Sequence, residues 1–117
     1  MNALVKPLST ILGLVFVIIG IAGFFTGSPL VVFQIDTLHN VIHLLSGLIA
    51  HYCVNSGYNM ARSYLMLFGL VYGLVAVIGF VQGNTVLGLI GVNMEDNYLH
   101  TAIAVACLAV GFGSKRA

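Results

Sequence analysis

Charge is what this sequence has least of: four Lys or Arg and three Asp or Glu, together 6% of 117 residues. A soluble domain carries about 25% charged residues, because it needs a polar skin. So sparse a set excludes that skin and makes a bilayer the expected solvent. A formal net charge of +1 excludes a nucleic-acid partner and a strongly acidic substrate. Tryptophan is absent, and there are only two prolines and two cysteines. Cys53 and Cys107 both fall inside apolar runs, unlike a disulfide framework or a zinc-thiolate motif, and read as small packing residues. No nucleophile–base pair, phosphate-binding loop or catalytic carboxylate pair is visible, so no enzymatic activity is expected.

What the chain has is apolar length, with 60% of its residues hydrophobic. Leu8 to Thr26 is free of charge and is about the roughly 20 residues that a helix needs to cross the hydrocarbon core. Pro7 suits a first helical position, where a missing N–H costs nothing. Gly27-Ser-Pro29 ends that helix, and Asn55-Ser-Gly-Tyr-Asn59 and Gly83-Asn84 punctuate later ones. The pattern predicts four helices at about 8–26, 37–54, 63–82 and 96–111. Leu30–Ile35 and Val86–Val92 are apolar connectors, read as interfacial loops and candidate docking surfaces. Lys6, Arg62, Lys115 and Arg116 then share one side, and Asp36, Glu95 and Asp96 the other. The positive-inside rule places both termini in the cytoplasm.

The chain also repeats itself. Gly13, Leu14, Val15, Gly23, Phe24 and Gly27 recur as Gly69, Leu70, Val71, Gly79, Phe80 and Gly83, an offset of 56 from Gly13 to Gly69. Asn40-x-x-His43 recurs as Asn97-x-x-His100, an offset of 57. This argues against reading the first segment as a signal peptide, since a later segment copies it. The expected architecture is one all-α integral membrane domain, 1–117. It comprises two tandem two-helix repeats, about 1–57 and 58–117, related by a pseudo-two-fold axis along the membrane normal.

At about 100° per residue, His39, His43, Ser46, Gly47, Ala50 and Val54 fall on one side of the second helix. Asp96, His100, Ala104, Cys107 and Gly111 form the matching stripe of the fourth. Stripes of small and polar residues mark buried faces in lipid. Gly23-x-x-x-Gly27, Gly69-x-x-x-Gly73 and Gly79-x-x-x-Gly83 suit close crossings, and Tyr72 lies where it can hydrogen-bond inward. Asp36, Asn40, Asn93 and Asn97 lie at helix starts and are read as caps.

The ionisable groups within the apolar segments carry the functional expectations. His43 and His100 face the proposed axis as a pair. Interhelical hydrogen bonding is one use for them. Ligation of a tetrapyrrole metal, haem or chlorophyll, for electron transfer or pigment binding, is another. His39, His43, Asp96 and His100 form a candidate transition-metal set. A proton path or oligomeric transporter through the same residues is a further alternative. A cation site at Asp36, Glu95 and Asp96 lacks any recognisable loop motif. His51, near the cytoplasmic end, is read as interfacial.

Asn40-Val-Ile-His43-Leu-Leu-Ser46-Gly47 and Asp96-Asn97-Tyr-Leu-His100 resemble the helix entries of a family of small bacterial four-helix membrane proteins, described only as a domain of unknown function. The resemblance covers almost the whole chain. It implies four spans and supplies no activity. The expected role is a non-enzymatic structural or accessory component of the bacterial inner membrane, alone, as a homo-oligomer or within a larger membrane protein complex.

Overall fold

The computed structural model describes residues 1–117 as four helices and one short hairpin. After a 3-10 turn at Asn2–Leu4 come α1 (Val5–Thr26), α2 (Thr37–Ser56), α3 (Tyr58–Gln82) and α4 (Met94–Gly113). Strands β1 (Thr85–Val86) and β2 (Ile90–Gly91) pair antiparallel between α3 and α4. α1 and α3 are long and apolar enough to cross a membrane. α2 and α4 are each 20 residues, about 30 Å at 1.5 Å per residue. Polar residues at their first turns lower their apolar character.

Helix boundaries follow local chemistry. α1 and α3 stop at Gly27 and Gly83, whose positive φ values of 68° and 89° favour glycine. A methyl at either position would meet nothing within 4 Å, so these two glycines end helices and do not form the close crossings that their spacing suggests. α1 begins at Val5, two residues before Pro7, so proline occupies the third helical position. It is still in the first turn, where its missing N–H leaves no bond unmade. The expected five-residue turn at 55–59 shrinks to Gly57, whose φ of 124° separates α2 from α3.

α1 packs mainly on α2, and α3 on α4. Small residues permit the approach. A methyl added to Gly47 would stand 2.7 Å from the Gly13 carbonyl oxygen, and one on Gly20 would stand 2.8 Å from the Leu44 nitrogen. The main core joins the helices through Phe16, Leu65, Tyr64, Tyr72, Cys107 and Ala50, among others. Cys53 and Cys107 are buried and free, as packing residues. Val86 and Ile90 of the hairpin, with Val92, make a smaller cluster against Val75 and Ile78 of α3.

The two ends of the bundle are tied differently. At one end the C-terminal segment meets the α2–α3 joint. Arg62 Nε donates to Ser114 Oγ (3.1 Å), Tyr58 Oη to the Lys115 carbonyl (2.6 Å), and the Lys115 N–H to Asn2 Oδ1 (2.9 Å). At the other end lie the connectors. Leu30 and Phe33 exchange backbone hydrogen bonds around Val31, and the second connector forms the β1–β2 hairpin around Leu87. Val31 and Leu87 adopt left-handed φ values of 57° and 56°.

Candidate functional site

Two caps set the register of the histidines. Asp36 Oδ1 accepts from the His39 N–H (2.8 Å) and starts α2. Asn93 Oδ1 accepts from the Asp96 N–H, and Asp96 Oδ2 accepts in return from the Asn93 N–H, each at 2.9 Å. This capping box satisfies two orphan donors and starts α4. His43 and His100 each follow their cap by seven residues, so they enter their helices at the same depth. Asn40 and Asn97, expected as caps, are not. They lie a turn further in, buried, with their side chains pressed on Gly23 and Gly79, and neither amide oxygen has a hydrogen-bond partner.

The connectors close over this end. Asp36 Oδ2 accepts from the Gly91 N–H (2.6 Å), and Asp96 Oδ2 from the Gln34 N–H (3.1 Å). Asn93 Nδ2 donates to the Val32 carbonyl (2.8 Å). Each carboxylate thus holds the connector belonging to the other half of the chain. These bonds occupy the Asp36 and Asp96 carboxylates with backbone donors, while Glu95 stays exposed.

Beneath the connectors three imidazoles gather. Ring centroids are 4.4 Å apart for His39–His43, 5.6 Å for His39–His100 and 6.1 Å for His43–His100. The residues are 1%, 4% and 1% exposed for His39, His43 and His100. One nitrogen from each falls in a set whose members all lie within 4.8 Å of one another. Asp96 is not in that set. His51 lies elsewhere, beside Gly13.

Aromatic rings form the floor of the cluster. Phe16 lies 5.7 Å from His43 and stacks on Tyr72 at 5.1 Å, while Tyr72 lies 5.5 Å from His100. The Tyr72 hydroxyl pairs with Ser46 Oγ (2.8 Å), which itself donates to the Ile42 carbonyl (2.7 Å). Tyr64 Oη donates to the Ser46 carbonyl (2.9 Å). Tyr72 therefore bonds inward as its sequence position suggests.

Both tyrosines are satisfied; His39 and His100 are not. His39 Nδ1, His39 Nε2 and His100 Nδ1 are buried without a hydrogen-bond partner. Leaving such a group unmade costs about 1–3 kcal/mol, so each one calls for an explanation. A cavity of about 100 Å³ adjoins the rings and is lined also by Ile42, Phe68, Val75 and Ile90. Sites for organic ligands run to about 300–1,000 Å³. The cavity as it stands is smaller than that range and does not itself hold a tetrapyrrole. Three convergent nitrogens with free lone pairs can instead hold a proton or a small cation.

Sequence reasoning names all three histidines, Ser46 and Tyr72, but misses Phe16 and the Gly–Asn contacts. The latter had a signal, because Gly23/Gly79 and Asn40/Asn97 recur together. Phe16 had none, since one phenylalanine in an apolar helix looks like another.

No curated protein and no solved structure matches the chain. Residues 6–113 match the model of the family described as "Domain of unknown function (DUF4383)", and the chain belongs to that family.

Proposed function

We propose that this chain is a four-span membrane protein, built of two tandem hairpins with both termini cytoplasmic, serving as a non-enzymatic structural or accessory component. One observation carries the reading: the distribution of polarity is inside out. Ile18, Phe25, Leu45, Leu48, Leu74, Val77, Val105 and Phe112 are exposed on the four helices, whereas Ser9, Asn40, Ser46, Asp96, Asn97 and the three histidines are buried. Apolar patches beyond a few hundred Å² are rare on soluble monomers, and lipid makes them unremarkable. The long axis of 40 Å is close to the roughly 40–45 Å of a bilayer with its interfaces.

Further support comes from the ends. Lys115 and Arg62 share the end where Asn2, close to Lys6, meets the C-terminal segment, as the positive-inside rule requires. The acidic residues lie with the connectors at the opposite end. The repeat is supported by three pairs of matching details: Asn40 on Gly23 with Asn97 on Gly79, the left-handed Val31 and Leu87, and the Gln34 and Gly91 N–H donors. The stacked Phe16 and Tyr72 fill the space below the histidines, which favours an accessory role over a channel through one chain.

Membrane fractionation tests the reading. Protein expressed in bacteria should stay with the inner membrane through alkaline carbonate washing and leave it only in detergent. Recovery of folded protein in the carbonate supernatant would contradict it.

A further inference from the structure

We propose that His39, His43 and His100 form a binding site for one divalent transition-metal ion of the zinc class, joining the two halves of the chain. His39 and His43 are one turn apart on α2, a spacing that presents two imidazoles on one helical face. His100 comes from α4, in the other hairpin. All three rings are buried and turned toward one another.

The distances fit such an ion after small adjustments. Zinc binds imidazole nitrogen at about 2.0–2.1 Å, which puts tetrahedral donors roughly 3.3 Å apart. The three donors already lie within 4.8 Å of one another, a gap that modest side-chain rotation closes. Hydrogen bonds do not oppose that rotation, since His39 Nδ1, His39 Nε2 and His100 Nδ1 have no partners to lose.

The donor set selects the metal class. Three imidazoles without a thiolate suit zinc, copper or nickel and are poor partners for calcium or magnesium. Asp96 does not complete the set, because it lies outside the cluster of donors that the three histidines form. All three histidines also line the cavity of about 100 Å³, which has room enough for water beside them. Because His39 stands at the position that Asp96 holds in the second half, the third ligand breaks the symmetry of the His43–His100 pair. The geometry is that of three protein ligands and one open position.

The test uses the full chain in detergent, stripped with chelator and titrated with Zn²⁺ alone. The wild type should bind one equivalent and melt at a higher temperature with it. His39→Ala, His43→Ala and His100→Ala should each weaken binding by more than the about 10–100-fold that loss of an outer-shell partner costs. His51→Ala should bind like the wild type. Retention of one tight equivalent by His39→Ala, His43→Ala or His100→Ala would overturn the site, as would a folded wild type that binds none. Should the variants fail to fold, Co²⁺ added to the wild type decides. Strong visible bands of four-coordinate Co²⁺ support the site, and the weak spectrum of hydrated Co²⁺ refutes it.

Discussion

The side-chain amide of Asn97 occupies the space into which a side chain on Gly79 would grow, and Asn40 stands in the same relation to Gly23. Each asparagine oxygen therefore faces a glycine Cα–H instead of a conventional donor. Such contacts recur between closely packed helices and contribute about 0.5–1 kcal/mol each. They also fix the depth at which His43 and His100 enter the bundle, since each histidine follows its asparagine by three residues.

Gly79→Ala and Gly23→Ala should therefore destabilise the protein by about 1–3 kcal/mol, the usual cost of overpacking. Gly73→Ala is the control. Its added methyl would meet only Ala104 Cβ at 3.6 Å, and removing a mid-helix glycine gains about 0.5–1 kcal/mol. Unfolding in detergent measures all three, and equal stabilities would contradict the contact.

Ser46 and Tyr72 give a test of direction. Tyr72→Phe leaves the Ser46 hydroxyl bonded to the Ile42 carbonyl, so the loss should be about 1 kcal/mol. Ser46→Ala strands the buried Tyr72 hydroxyl and should cost more, up to about 3 kcal/mol. The double variant should recover part of the Ser46→Ala loss. Strict additivity in the cycle would show that the two hydroxyls do not interact.

Asp96 acts twice, as part of the α4 capping box and as the acceptor for Gln34. Asp96→Ala leaves the Asn93 N–H without its carboxylate acceptor and should lose about 1.5–3 kcal/mol, the usual worth of a hydrogen bond to a charged group. It should also speed amide exchange at Gln34 while leaving Gly91, held by Asp36, protected. Unchanged exchange at Gln34 would remove the carboxylate from its assigned role.

Much of this fold is legible in the sequence. Leu38, Val41, Leu45, Leu48, Ile49 and Tyr52 read as the outer face of α2 and are exposed, while the small and polar stripe is buried. The α4 stripe from Asp96 to Gly111 is likewise buried. The period of the helix carries that information directly. The caps are half legible. Asp36 and Asn93 have the right spacing to a following N–H, whereas Asn40 and Asn97 look alike in sequence and are distinguished only by a glycine on another helix. Cys53, not Val54, reaches the core, a drift of one position at the end of α2. Four spans are expected from the sequence, whereas the length and composition of the helices bear out two, α1 and α3; the polar residues of the histidine cluster lower the apolar character of α2 and α4.

The four-span arrangement is tested most directly by which side of the membrane Asn59 faces. Single cysteines at Val31, Leu87 and Asn59 in a background lacking Cys53 and Cys107 can be labelled in intact cells with a membrane-impermeant maleimide. Four spans put positions 31 and 87 outside and 59 inside, so the first two should label and the third only after permeabilisation. If only α1 and α3 crossed, Asn59 would lie on the same side as Val31. Labelling of both positions from outside in intact cells would contradict the proposed four-span topology.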